Sequence, residues 1–117
     1  MSGKNRRMGL DMGAILVITN LPDQDSAQRL ANILIDARLA ACVNLLAPCT
    51  SVYRWQGKIE SAQETPVLIK TSEVLYGKVE QAIRAHHPYE LPEIISVAIK
   101  DGLPAYLAWI ATETTQK

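Results

Sequence analysis

Residues 51–60 read SVYRWQGKIE, and they place a two-residue turn, Gln56-Gly57, between two runs that are typical of β-strands. Such a turn sets Trp55 opposite Lys58 and Tyr53 opposite Glu60. Strand-like residues continue outward on both sides, and each arm of the predicted hairpin runs for roughly 13 residues, against about 5–6 for an ordinary strand. The chain is therefore predicted to contain an unusually long hairpin.

The length of this hairpin predicts an oligomer. At roughly 3.3 Å per residue the two arms extend beyond the body of a domain of this size. A protruding ribbon exposes unpaired strand edges, which promote aggregation unless something covers them. Another copy of the chain is the simplest cover.

The residues before the hairpin predict a strand, a helix and a second strand. Residues 14–19 form a short apolar run, which is expected to be a strand buried on both faces. Asp23 is suited to cap a helix whose small apolar residues recur at helical spacing up to Ala41. A further strand is expected from Cys42, with an interruption at Pro48 because proline cannot donate to a ladder.

The residues after the hairpin complete the pattern. Ser72 is expected to cap a second helix that ends before Pro88, and residues 93–100 alternate as a strand. A last helix is expected to begin near Pro104. The order is that of an α+β, ferredoxin-like βαββαβ sandwich with a long hairpin between its second and third strands and an added C-terminal helix.

Length and composition limit the classes of protein. The 117 residues suit one domain, which we place at 13–117, preceded by a flexible polar tail at 1–12 that lacks the apolar core of a secretion signal. Twelve basic and twelve acidic side chains cancel, which argues against nucleic acid as a partner. No apolar run approaches the roughly 20 residues of a membrane span, so membrane insertion is not expected. The two cysteines, Cys42 and Cys49, are too few for a disulfide scaffold, and we expect reduced thiols in the cytoplasm.

Residues 86–93, HHPYELPE, hold the highest density of chemically functional side chains. Two histidines and two carboxylates are suited to a divalent metal such as zinc or copper. Helical spacing points His86 towards the sheet and His87 about 100° away, so the two cannot easily hold one ion together. The alternative is a His86 satisfied in the core, a His87 on the surface and a loop shaped by prolines. Spacing alone favours this alternative, because metal sites need several converging ligands.

Other candidate sites are less specific. Tyr53, Arg54 and Trp55 crowd the hairpin tip, as a subunit contact or pocket wall would, although ordinary cross-strand packing has the same pattern. The spacing of Cys42 and Cys49 is not that of a zinc site. No nucleophile elbow, phosphate-binding loop or dinucleotide fingerprint is present, so neither an enzyme nor an organic cofactor is predicted.

Five motifs together resemble the CutA divalent-cation tolerance proteins. They are AACVN at 40–44, YRWQGK at 53–58, KT at 70–71, HHPYELPE at 86–93 and YLAW at 106–109. The resemblance spans about residues 14 to 112, and the combination is far more specific than any one motif.

This resemblance implies more than the residues alone. Members of the family look like ferredoxin-like subunits that assemble as tight homotrimers through their long hairpins, and they are linked to tolerance of copper and other divalent ions. We therefore expect association with Cu²⁺ or Zn²⁺. The expected metal ligands are His86, His87 and Cys42. Polar and aromatic side chains of the family gather in clefts between subunits, and the corresponding positions here are Tyr53, Trp55, Lys70, Tyr89, Glu90 and Glu93.

One residue departs from the family pattern. Some members carry a cysteine near the end of the first strand, treated as a metal ligand, whereas this chain has Thr19, a far poorer ligand for copper or zinc. A second function stays open: a trimeric signalling or small-ligand module whose cleft binds an anion or metabolite through Lys70, Tyr53 and Trp55. An enzyme that uses Cys42 or a histidine ranks third.

Overall fold

The computed structural model describes residues 13–116, and the predicted tail at 1–12 lies outside them. The described residues form five strands and three α-helices. In chain order these are β1 (Ala14–Leu21), α1 (Gln24–Asp36), β2 (Cys42–Leu45), β3 (Cys49–Trp55), β4 (Lys58–Ser72), α2 (Tyr76–His86), β5 (Ile94–Ala98) and α3 (Pro104–Glu113). A 3₁₀ turn at Glu73–Leu75 joins β4 to α2.

The strands pair in the order expected of two interleaved βαβ units. β2, β4, β1 and β5 lie side by side in that order, and β3 extends the hairpin by pairing with β4. All pairs are antiparallel, with Val17 opposite Ile69 in β1 and β4 and opposite Ser96 in β5. This confirms the predicted ferredoxin-like fold.

The hydrophobic core lies on one face of the sheet. Every second residue of β1 is buried, from Ile15 to Leu21, and packs with the apolar faces of α1 and α2. The intervening residues of β1 point to the other side of the sheet, which we call the second face, and they are only half-buried. Ile95 and Val97 of β5 lie on this second face and are 50% and 49% exposed. The prediction that the first strand is buried on both faces is therefore wrong for the single chain, because both helices cover the same side.

The third helix meets the end of this second face. The Lys70 ammonium nitrogen lies 5.8 Å from the centroid of the Tyr106 ring. The Ser72 hydroxyl lies 2.7 Å from that of Thr114. Ser72 makes no capping hydrogen bond, in contrast to the sequence prediction, because its hydroxyl faces Thr114 instead.

The hairpin has the predicted turn and register. Trp55 lies opposite Lys58 and Tyr53 opposite Glu60. Gln56 and Gly57 both have positive φ, 50° and 81°, as the mirror-image turns that suit hairpins require. The first arm is interrupted between β2 and β3, at the position of Pro48, as expected.

The outer part of the hairpin is exposed in the single chain. Val52 and Ile59 are 69% and 73% exposed. The chain measures 50 Å along its longest axis against 29 and 23 Å across. None of the helices within residues 13–116 has the length and apolarity needed to cross a bilayer.

Candidate functional site

A cleft of about 740 Å³ opens between the hairpin and the segment that joins α2 to β5. This volume is within the range of roughly 300–1,000 Å³ usual for small-molecule sites. Its walls come from the end of β1, from both arms of the hairpin and from the segment after α2. The lining residues are Asn20, Ser51, Val52, Tyr53, Arg54, Trp55, Glu64, Tyr89, Glu90, Leu91 and Glu93. We call this the hairpin cleft.

The hairpin cleft is acidic. Three carboxylates, those of Glu64, Glu90 and Glu93, line it with a single basic side chain, Arg54. Burial raises the pKa of Tyr89 above its ordinary value of 10.0, and the adjacent Glu64 carboxylate raises it further. An ionised tyrosine is disfavoured beside that carboxylate, and an anionic ligand would meet the same repulsion. The cleft is therefore better suited to a cation than to the anion considered from the sequence.

His87 holds the segment that forms one wall of the cleft. Its Nε2 lies 2.6 Å from the backbone oxygen of Asn20, and its Nδ1 accepts a hydrogen bond of 3.1 Å from the Tyr89 backbone N–H. A carbonyl on one side and an N–H on the other fit the neutral imidazole with its proton on Nε2. Both ring nitrogens are thus engaged, and the ring centroid lies 4.7 Å from that of Tyr89, with the two ring planes tilted by 52°.

Asn20 completes this support. Its side-chain amide donates a hydrogen bond of 2.8 Å to the Glu93 carboxylate. One residue at the end of β1 therefore contacts His87 through its backbone and Glu93 through its side chain. Together these contacts fix both ends of the wall that carries Tyr89 and Glu90.

The burial of the two histidines is the reverse of what helical spacing predicted. His86 is exposed and His87 is half-buried, whereas helical spacing predicted a core His86 and a surface His87. The cause is Pro88, because the residue before a proline is driven out of the helical region. His87 has φ −97° and ψ 133°, so α2 ends at His86 and the His87 ring turns back towards β1.

Cys42 and Lys70 lie away from the hairpin cleft. They face each other across the β2–β4 pair. Lys70 is six residues along β4 from the cleft residue Glu64, which is roughly 20 Å at strand spacing. Among residues 13–116, no three His, Cys, Asp or Glu side chains converge as a metal site would require. The three predicted metal ligands, His86, His87 and Cys42, remain predictions for the single chain.

Five of the six residues expected in a cleft between subunits line the hairpin cleft of the single chain, and their place between subunits stays a prediction. These are Tyr53, Trp55, Tyr89, Glu90 and Glu93. Sequence reasoning missed Glu64 and Asn20. The register of the hairpin was sufficient to find Glu64, since strand alternation places it on the same face as Tyr53. Nothing local marks Asn20, which meets Glu93 from 73 positions away.

Thr19 occupies the position at which the resemblance places a cysteine in some relatives. Its side chain is 0% exposed on the core face of β1. Within residues 13–116 its hydroxyl has no hydrogen-bond partner. It lies on the opposite face of the sheet from Asn20 and the hairpin cleft.

Fold and cleft together define an α+β ferredoxin-like protein with a protruding hairpin, and comparison with known proteins gives its family. The sequence-family model for the CutA1 divalent ion tolerance protein matches residues 15–113 of this chain. The chain belongs to this family.

Relatives from distant organisms support the assignment. The chain is 38% identical over 99 residues to the divalent-cation tolerance protein CutA of Thermus thermophilus, which covers 85% of this chain and 96% of that protein. Among solved structures, CutA from Xylella fastidiosa is similar with a TM-score of 0.85 and 46% identity, over 87% of this chain and 98% of that one. The periplasmic divalent cation tolerance protein CutA of Archaeoglobus fulgidus has a TM-score of 0.85 and 33% identity, over 87% and 99%.

Proposed function

We propose that this protein works as a homotrimer that associates with divalent metal ions of the copper or zinc type and contributes to cation tolerance. Its family, whose members are called divalent-cation tolerance proteins, supports the role in tolerance. The observation that carries the assembly is the uncovered second face of the sheet.

That face carries a patch of neighbouring apolar side chains. Leu16 and Ile18 of β1 lie beside Leu68 of β4 and beside Ile95 and Val97 of β5. α3 adds exposed aromatic side chains at its edge, Tyr106 and Trp109. Contiguous apolar surface of this kind marks a protein interface. A second copy is the occupant we propose, because the exposed hairpin also needs a cover and the family resemblance implies three-fold assembly.

The metal site in this proposal lies between subunits. Within residues 13–116 of one chain, no three suitable side chains converge, and the proposal therefore takes its ligands from at least two copies. His86 is exposed, and an imidazole suits copper and zinc. The Cys42 thiol is the softer of the candidate donors and lies on the proposed subunit-facing side of the sheet. His87 ranks below both, because binding a metal would break its contacts with Asn20 or Tyr89.

Metal titration of the purified assembly tests this proposal. Calorimetry with Cu²⁺ and Zn²⁺ should give binding that weakens by about tenfold or more in His86→Ala, since one ligand of a few is lost. The matched control is Arg84→Ala, which truncates another exposed side chain in the last turn of the same helix. Equal affinity of the His86→Ala variant and the unmodified chain would contradict the assignment.

The proposed role is binding rather than catalysis, in the cytoplasm and without an organic cofactor. Cys42 and Cys49 are both free thiols, which suits a reducing compartment. The Archaeoglobus relative is called periplasmic, so the compartment needs its own test. Fractionation of the native host should recover the protein with cytoplasmic markers, and recovery with periplasmic markers would contradict this.

The hairpin cleft favours a second candidate function, that of a trimeric signalling or small-ligand-binding module. It gathers aromatic and carboxylate side chains in a volume of about 740 Å³, while Lys70 lies outside it. A screen of metabolites by thermal shift tests this candidate, because a ligand that binds only the folded state raises its melting temperature. The absence of any hit at millimolar concentration would count against it.

A further inference from the structure

We propose that the hairpin cleft binds a small organic cation with two or more amino groups, of the diamine or polyamine class. This inference rests on the second candidate function and names its ligand class. It does not depend on the proposed metal site, because the residues that carry it are different.

The separation of the carboxylates selects an extended cation over a single ion. Glu64 comes from the hairpin, whereas Glu90 and Glu93 come from the segment after α2. They share one cleft, yet they do not converge as the ligands of a metal do. A metal ion draws its ligands to within about 2.0–2.6 Å of one point. Ammonium groups spaced along a flexible chain can meet separated carboxylates one by one.

The aromatic walls match the rest of such a ligand. Tyr53 and Trp55 of β3 lie in the cleft together with Tyr89 of the opposite wall. Ammonium groups are attracted to aromatic faces, and the methylene segments between them pack on the same rings. A hydrated metal ion would leave this apolar surface unused.

The acidic wall is held in place before any ligand arrives. Asn20 fixes the Glu93 carboxylate, and His87 fixes the backbone at Tyr89. Burial is the main reason that the pKa of Tyr89 is raised, and the Glu64 carboxylate raises it further, in keeping with the negative charge of the cleft lining. A site that needs little ordering on binding loses less affinity to conformational entropy.

Spermidine is the probe for the first experiment. Calorimetric titration of the unmodified assembly, in low salt with EDTA present, should show saturable binding. The variants Glu64→Gln and Glu93→Gln should each weaken it by about tenfold, because a charge-assisted hydrogen bond is lost. The matched control is Asp36→Asn, which removes one exposed carboxylate at the far end of α1, outside the cleft.

Trp55 supplies a readout that locates the bound probe. In a Trp109→Phe variant Trp55 is the remaining tryptophan, and its fluorescence should change along the same binding curve. Butylamine, with one amino group, should bind more weakly than spermidine. In a separate titration without EDTA, on protein already freed of copper and zinc, Mg²⁺ should weaken spermidine binding only through general screening.

Three results would overturn the proposal. The first is no binding at millimolar spermidine, as expected if a neighbouring subunit fills the cleft. The second is binding of spermidine that Glu64→Gln and Glu93→Gln leave unchanged. The third is Mg²⁺ that competes for the cleft as tightly as spermidine binds to it. Copper and zinc are removed from the protein before every titration, so a failure of metal binding at His86 leaves the outcome unaffected.

Discussion

Replacing Thr19 by valine should raise the free energy of unfolding, because the Thr19 hydroxyl is buried without a hydrogen-bond partner among residues 13–116. The side chain is 0% exposed, between residues of β4 and β5 on the core face of the sheet. Valine has nearly the same shape and no polar group. Leaving a buried hydroxyl unpaired costs about 1–3 kcal/mol, so the substitution should stabilise the fold by about 1–2 kcal/mol.

Thr71 provides the matched control. It is also 0% exposed, and it lies on the same face of the sheet in β4. Its hydroxyl donates a hydrogen bond of 2.7 Å to the Leu39 carbonyl oxygen. Thr71→Val exchanges the same groups as Thr19→Val but breaks this bond, which is worth about 1 kcal/mol net and leaves an acceptor without its donor.

Urea denaturation at one protein concentration compares the two variants. Both variants exchange a hydroxyl for a methyl group, so their unfolding free energies differ only through the hydrogen-bonding state of the hydroxyl that is removed. We expect this difference to be about 2–3 kcal/mol in favour of Thr19→Val. The concentration must be fixed because assembly adds to apparent stability. A Thr19→Val variant that is less stable than the unmodified chain, or equal effects at the two positions, would mean that the unpaired Thr19 hydroxyl does not destabilise the fold.

Three further predictions concern a helix cap and the hairpin cleft. The Ser26 backbone N–H bonds the Asp23 carboxylate and lowers the pKa of Asp23 below 3.8, so its stabilisation is present above about pH 4 and disappears as the pH falls through the folded pKa. Asp23→Asn should therefore flatten the acid side of the stability profile, measured by urea denaturation at successive pH values, and an unchanged slope would contradict it. Glu64→Gln should lower the pKa of Tyr89 while leaving it above 10.0, since burial persists, and NMR titration of the tyrosine rings would disprove this by finding no shift. His87→Ala should speed hydrogen exchange of the Tyr89 amide, which loses its acceptor, relative to the unmodified chain; equal rates would mean that His87 does not hold the wall.

The fold could be predicted from the sequence because short local patterns determine it. The Gln56-Gly57 turn fixes the register of the hairpin because both residues adopt positive φ, and the whole β3–β4 pairing follows from that register. Pro48 ends one strand because it cannot donate to a ladder. Such features act within a few residues, so the sequence alone was sufficient to place them.

The site followed only in part, because its geometry depends on long-range contacts. The periodicity of α2 suggested a buried His86, whereas His86 is exposed in the last turn of the helix and Pro88 turns His87 inward instead. The hydrogen bond from Asn20 to Glu93 connects β1 with the residue before β5, 73 positions apart, and no local pattern predicts it. Lys70 belongs to one of the motifs that resemble the family, but it lies on the proposed subunit-facing side of the sheet and not in the hairpin cleft.

We expect the uncovered sheet face and the long hairpin to hold three copies of the chain together without the help of metal. Light scattering after gel filtration, with EDTA and then with copper or zinc, measures this directly. We expect a mass of about 39 kDa in every condition, three times the 12.9 kDa of one chain. A mass near 12.9 kDa in EDTA would contradict it, whether or not metal then drives assembly.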